Sequence, residues 1–336
     1  MNQLNFIPVI QRIQKQFDPQ YGGFGDSPKF PPTTTLQLLL ELHQSHPDSN
    51  LIDMVEHTLI SMIQGGIYDQ LQGGFCRYST DKFWLIPHFE KMLYDNGQLL
   101  KVIAQTYLIK PNPSFKKAIK ETVSFLKSVM LSNDPAFYSA LDADTSGTEG
   151  LFYTWDTREI DTILSAEESM LIQQHFGITS KGNFEGSNIL SICLDIESLA
   201  AKRQQESTEV QKTIDSAKEK LLTHRSTHRA PPNTDIKRVT SWNALTIAGL
   251  SWCFKAFPDR QDYLDLAIKV AHSLWEKMWA DDTLGRIFDG HNTKVAGCLE
   301  DYAYFGEALL DLYEVSGQKN FLERSQTLTE SILNRF

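Results

Sequence analysis

Pro87-His88-Phe89-Glu90 lies between a glycine-rich aromatic run, Gly73-Gly74-Phe75-Cys76-Arg77-Tyr78-Ser79-Thr80-Asp81, and an apolar stretch opening on Lys91-Met92-Leu93-Tyr94-Asp95-Asn96. Histidine titrates close to neutrality, so His88 is the first candidate for general acid–base work. Read as the start of a helix running His88–Ile109, it sits where the positive end of the dipole disfavours imidazolium. That leaves a neutral ring able to accept a proton. Asp95 follows seven residues on, two turns along the same face. Asp69, Arg77, Tyr78 and Glu90 have the chemistry to hold hydroxyls or an anionic group. A buried network that fixes the loop, with His88 hydrogen-bonded into it, accounts for the same residues.

Two further clusters carry acids. Asp142 and Asp144 flank Ala143, and Glu149 follows a turn. Paired carboxylates supply the acid and base of glycoside cleavage. Asp-x-Asp beside Thr-Ser-Gly is also ordinary turn chemistry, and a calcium loop wants more regularly spaced oxygens. Glu300 and Asp301 open another helix, where acids favour the dipole whatever else they do. Trp242 and Asn243 open a third. An indole beside an amide suits stacking on a sugar ring, although core packing is the commoner fate of tryptophan. Lys29, between Pro28 and Phe30, reads as structural rather than nucleophilic. His291 is a possible second proton-transfer group.

The elements that must position these residues are mostly helical in period. Phe6, Ile7, Ile10, Ile13 and Phe17 mark a first helix within Met1–Phe17. Further helices are expected at Thr33–His43, Asp53–Gln64, His88–Ile109, Ser114–Met130, Thr157–Leu164, Glu167–His175, Ile196–Ala201 and Ser207–Thr223. Four more follow at Ser241–Phe257, Asp262–Trp279, Glu300–Val315 and Phe321–Asn334. Strand signals are short. Phe137-Tyr138 and Phe152–Trp155 are expected to pair across the turn-rich Asp142–Gly150, with Asn188–Ile192 as a third candidate.

A glycine- and aromatic-rich loop repeatedly precedes a strongly apolar helix, and a more polar helix returns from it. Such a rhythm predicts an all-α fold of stacked helical hairpins, an α/α toroid with apolar helices inside and polar ones outside. The rich loops would then gather at the N-terminal ends of the inner helices. Inner helices beginning near Thr33, His88, Ser241 and Glu300 are too few for six hairpins, so an incomplete ring is expected. The whole of 1–336 reads as one toroid domain truncated at its C-terminus, with 137–237 a loop-rich insertion.

Composition narrows the function classes. A net charge of -10 argues against a nucleic-acid backbone as partner. The four cysteines form no C-x-x-C pair, so neither a zinc site nor a disulfide framework is expected. No metal or cofactor site is predicted. Met1–Phe17 lacks the apolar core of a secretory signal, and no apolar run is long enough to span a bilayer. A cytoplasmic protein is the expectation.

Motifs along nearly the whole chain resemble one family. Gly22-Gly23-Phe24-Gly25-Asp26-Ser27-Pro28-Lys29-Phe30-Pro31, Gly65–Gln70, Gly74–Asp81 and Trp84–Asn96 are similar to its conserved blocks. So are Phe137–Asp144, Glu149–Trp155, Gly182–Gly186, Ser241-Trp242-Asn243 and Leu299-Glu300-Asp301-Tyr302-Ala303-Tyr304. The family is that of spermatogenesis-associated protein 20, thioredoxin-domain-containing proteins with bacterial homologues. Departures from its pattern are Cys76 for histidine, Ile236 for the middle acid of Asp235-Ile236-Lys237, and Glu300 for aspartate.

The resemblance implies a thioredoxin-like domain followed by a toroid similar to N-acylglucosamine 2-epimerases and six-hairpin glycosidases. These 336 residues match the toroid without the thioredoxin-like part. A carbohydrate-active toroid follows by analogy, with epimerase- or isomerase-like proton transfer slightly ahead of glycoside hydrolysis. His88 would be the general acid–base, assisted by Asp142, Asp144, Glu300 and Asp301. Asp69, Arg77, Tyr78, Glu90, Asp95, Trp242 and Asn243 would hold the sugar. The alternative is a non-catalytic sugar- or peptide-binding module acting with a thioredoxin-like partner.

Overall fold

The computed structural model describes residues 6–336, and the first five residues of the expected Met1–Phe17 helix lie outside them. In chain order the helices are α1 (Ile7–Gln16), α2 (Thr33–Ser45), α3 (Ser49–Gln64), α4 (Leu93–Ile109), α5 (Pro113–Phe125), α6 (Thr157–Ile163) and α7 (Ala166–Phe176). They continue with α8 (Ile196–Arg203), α9 (Ser207–His228), α10 (Thr240–Ala256), α11 (Gln261–Met278), α12 (Leu299–Ser316) and α13 (Lys319–Arg335). A single π turn, Leu126–Met130, extends α5.

Local chemistry sets many of the boundaries. Asp48, Asn112, Asp156 and Asp195 each accept a backbone N–H of the first turn that follows, which satisfies a donor the helix leaves orphaned. Ser165 and Glu168 close a reciprocal capping box on α7. Gly177 and Gly317 end α7 and α12 in the left-handed conformation.

Two compact units emerge from the contacts, and each takes several stretches of chain. The first comprises Met1–Leu71, Arg77–His88 and Tyr153–His228. Here α2 and α3 form a hairpin, and α7, α8 and α9 close around Trp155, Ile160, Leu171, Ile172, Phe176, Leu199, Val210, Ile214 and Leu221. Near the end of α9, Arg225 reaches Asp69 with two parallel bonds of 3.1 and 2.9 Å, and both side chains are buried.

The second unit comprises Gln72–Cys76, Phe89–Phe152 and Arg229–Phe336. It holds three helical hairpins, α4–α5, α10–α11 and α12–α13, with α10 packed between α4 and α12. α4 and α10 are buried on more than one side, and α4 encloses Asp95, Asn96, Lys101 and Gln105 along with its apolar residues. α5 and α11 bury a single stripe, beginning Phe115-Ala118-Ile119 and Tyr263-Leu264-Ala267. The α4–α10 contact is close because glycines face each other: a β-carbon on Gly249 would lie 2.5 Å from the Gly97 carbonyl oxygen. Lys101 on α4 ties to α12 through Glu307 at 2.6 Å and Asp311 at 3.0 Å.

Three sequence expectations are corrected. The helix expected from His88 starts at Leu93. The backbone before it is occupied elsewhere, since Pro87–His88 pairs with Tyr78–Ser79 and Lys91–Met92 pairs with Ala140–Leu141. Phe137 does not pair with Phe152–Trp155 but bridges to Leu131, while Trp155 bridges to Asn188. Ahead of α12, where no strand was expected, Thr283–Phe288 and Thr293–Ala296 form an antiparallel pair.

Candidate functional site

His88 lies in a two-residue strand, half-buried, rather than at a helix N-terminus. The dipole reason for a neutral imidazole therefore falls away, and Asp95 is not on a helix with it. Its register partner is Tyr78, and the two rings stack at 5.1 Å with 25° between planes. Phe30, exposed, stacks on Tyr78 at 4.7 Å. Three rings thus make a short column with an aromatic face in solvent, and half-buried Arg77 adjoins Tyr78 in the chain. Asp69, in the same unit, is turned inward instead. Its carboxylate accepts from the Arg225 guanidinium and from the Leu71 N–H at 3.1 Å, so it stabilises the fold. Lys29 is buried against Asp18 at 2.6 Å, as a structural lysine should be.

In the second unit Asp142 and Asp144 are exposed on a tight hairpin. Asp144 is the register partner of Glu149, and Thr145 of Thr148. Directly opposed acids repel, so this pairing works against the hairpin's own stability. Glu90 is half-buried, and Asp95 is buried in the first turn of α4.

Trp242 is half-buried and meets Tyr94 edge-on at 5.1 Å. Its neighbour Asn243 is fully enclosed. The amide accepts the Phe137 N–H at 2.7 Å and donates to the carbonyls of Phe137 at 3.1 Å and Val239 at 3.0 Å. With its donors and acceptor so engaged, Asn243 holds backbone, not a ligand.

Glu300 and Asp301 are brought together by Arg286, 2.7 Å from the first and 2.9 Å from the second. Burial works against the Arg286 charge, but these two carboxylates outweigh it and raise its pKa. Asp301 is completely buried. It accepts from the Ser241 N–H at 3.0 Å and from the N–H of Cys298 at 3.0 Å, closing a capping box on α12. Expected as a catalytic acid, it is instead a junction between α10 and α12. Glu300 remains half exposed. Burial and the Asp301 carboxylate together push the Cys298 thiol up.

The sequence-predicted residues therefore separate. Tyr78 and His88 come together in the first unit; Asp142 and Asp144, and Glu300 with Asp301, come together in the second. Arg225, Arg286, Asn96 and Tyr302 were not singled out as functional. Asn96 and Tyr302 lie inside the recognisable motifs, whereas no local signal marks the two arginines.

Hairpins with apolar inner and striped outer helices define the α/α-toroid class. The chain superposes with a TM-score of 0.51 on a family 76 glycoside hydrolase from a bovine Bacteroides thetaiotaomicron strain, at 9% identity, over 88% of this chain and 44% of that one. It superposes with a TM-score of 0.50 on an unsaturated glucuronyl hydrolase specific for heparin, at 13% identity, over 88% of this chain and 57% of that one. No family model matches the chain. In sequence it is 31% identical over 362 aligned residues to spermatogenesis-associated protein 20 of Homo sapiens, covering 96% of this chain and 46% of that protein. The chain belongs to this family, and it spans about half the length of the curated relatives it matches. Among the described residues, no helix is long and apolar enough to cross a membrane.

Proposed function

We propose that this chain is a carbohydrate-active toroid that cleaves a glycosidic bond, with a sugar as its small-molecule ligand. The observation that carries this reading is the Asp144–Glu149 register pair, with Asp142 two residues before it. Hydrolysis needs two carboxylates, one as acid and one as base or nucleophile. Cross-strand neighbours place their β-carbons roughly 4.5–5.5 Å apart, a separation from which two carboxyl groups can act on one bond. The glycoside-hydrolase fold supports the same direction, although fold alone does not define a reaction.

Within this proposal Asp142, Asp144 and Glu149 do the acid–base work, and Glu300 contributes a hydroxyl contact. Trp242 offers an aromatic edge to the sugar. In the first unit, as a site of its own, His88 stacked on Tyr78 is proposed as a proton-transfer group, with Arg77 and Tyr78 holding hydroxyls there. Epimerisation would lean on His88 instead of the hairpin acids.

The test is incubation with a panel of mono- and oligosaccharides in deuterated water, followed by reducing-end assay and NMR. Release of reducing ends, abolished in Glu149→Gln and Asp144→Asn, is expected. Deuterium on a sugar carbon, lost in His88→Ala but kept in Glu149→Gln, would replace hydrolysis by epimerisation. Saccharide binding without either reaction would make the chain a binding module.

A further inference from the structure

A cleft of about 300 Å³ opens in the first unit, away from the column of Phe30, Tyr78 and His88 in its lining. Its polar groups come from Gln20, Ser61, Gln64 and Ser191, and its aromatic wall from Tyr21 and Phe83. The two rings meet edge-to-face at 4.8 Å and 86°. Phe83 is 49% exposed. A large apolar ring held in water normally costs stability, so the way the chain holds it is informative.

The segment is locked from below. The Asp81 carboxylate accepts the N–H groups of Phe83 at 2.6 Å, Leu85 at 3.2 Å and Ile86 at 2.8 Å. Trp84, between them, is fully buried with φ of 63°. A bulky residue in the left-handed region is strained, and such strain gathers where a ligand is clamped. The Trp84 indole N–H donates to the Tyr21 carbonyl at 2.9 Å, which fixes both aromatic walls to one anchor. On the other side the Ile192 N–H donates to the Gln64 carbonyl at 2.7 Å and sets Ser191 beside the cleft. The pocket is therefore preorganised, while the side-chain polar atoms of Gln20, Ser61, Gln64 and Ser191 make no hydrogen bond among the described residues.

Charge narrows the ligand. The chain carries a net -10, yet no acidic side chain lines this cleft. The Lys82 ammonium, outside the lining itself, lies 5.6 Å from the centre of the Phe83 ring and 5.8 Å from that of Tyr21, the two aromatic walls. An aromatic wall takes the C–H face of a pyranose, amides and hydroxyls take its hydroxyl edge, and a neighbouring cation takes a carboxylate. We infer that this cleft is a saccharide subsite that prefers a uronate-type sugar ring, stacked on Phe83, hydrogen-bonded by Gln20, Gln64 and Ser191, and paired through its carboxylate to Lys82. The inference rests on the carbohydrate reading above for its ligand class, but it concerns a different set of residues.

The test is saturation-transfer NMR on the full chain with sodium D-glucuronate, methyl β-D-glucopyranoside and sodium benzoate. Glucuronate is expected to bind. Phe83→Ala should weaken it roughly tenfold, the equivalent of one aromatic stacking contact. Lys82→Ala should weaken glucuronate by about fivefold and leave the glucoside unchanged, as for a solvent-exposed charge pair. Gln64→Ala serves as a second contact variant if Phe83→Ala melts differently from the parent protein. No glucuronate binding, binding indifferent to Phe83→Ala and Gln64→Ala, or benzoate binding as tightly as glucuronate would each overturn the subsite. Glu149→Gln keeps the two proposals apart. It should abolish turnover while leaving glucuronate binding intact, and a protein that never turns over sugar can still pass or fail this test.

Discussion

Asn96 and Asn243 make the same clamp on two different helices. Each is the fourth residue of its helix, α4 and α10. Asn96 accepts the Phe75 N–H at 2.8 Å and donates to the carbonyls of Phe75 at 3.0 Å and Met92 at 2.9 Å. Asn243 repeats every bond with Phe137 and Val239. Tyr302, fourth in α12, does the related job with one bond, its hydroxyl accepting the Leu284 N–H at 2.9 Å. The hairpins thus repeat a device as well as a pattern: an inner helix grips the extended segment that leads the chain around it.

Removing the clamp leaves a buried N–H and a buried carbonyl without their partner. Asn96→Ala and Asn243→Ala should each destabilise by about 1–3 kcal/mol per orphaned group. Tyr302→Phe, which orphans only one N–H, should cost less than either. Urea denaturation of the three variants checks the order.

The glycine contact between α4 and α10 leaves no room for a methyl group. Gly249→Ala sets a β-carbon 2.5 Å from the Gly97 carbonyl, and Gly97→Ala sets one 2.8 Å from the Thr246 nitrogen. Both are backbone atoms that cannot swing aside. Overpacking of this kind costs about 1–3 kcal/mol. A lowered melting temperature in both variants is expected, and unchanged melting would mean the helices can separate freely.

Asp69 and Arg225 should behave as a unit. Asp69→Asn or Arg225→Met alone strands a buried charge, at a cost of about 3–5 kcal/mol. The double variant strands none and should be more stable than the worse single variant. A double-mutant cycle by chemical denaturation measures this coupling.

Glu168 sets part of the acid limit of the first unit. Burial raises its carboxyl, but hydrogen bonds from Lys220, the Ser165 backbone and cap, and Ser216 prevail and hold it at about 2, against an ordinary value of 4.5. A depressed pKa gives stability that is full above 4.5 and fades as pH falls toward about 2. Stability measured from pH 5 to pH 2 should therefore fall less steeply in Glu168→Gln than in the parent, and a parallel decline would remove Glu168 from the account.

Much of the helical plan was legible. α2, α5, α10, α11 and α12 lie where apolar period, prolines and caps put them, because helix formation is local, while α9 runs from the expected Ser207 past Thr223 to His228. The start of α4 was not. Pro87-His88 carries no local sign that its backbone will pair with Tyr78–Ser79, residues that precede it by a loop. The site residues were legible as chemistry and not as placement. Asp301 and Glu300 are neighbours in sequence and nearly alike in type, yet one is enclosed and the other in water. Asp69 and Arg225 are 156 residues apart, so no motif could pair them.

By itself the sequence determined the family, the helical hairpins, and which residue types were available for proton transfer and hydroxyl binding. These follow from short-range rules of period, capping and motif spacing. Tertiary structure alone decided which polar groups are spent on the fold. Asp69, Asn243 and Asp301 are held by buried partners, because a buried polar group must be bonded by whatever packs against it. Tyr78, His88, Asp144, Glu149 and Phe83 keep atoms turned toward solvent, and only there can chemistry on a ligand begin.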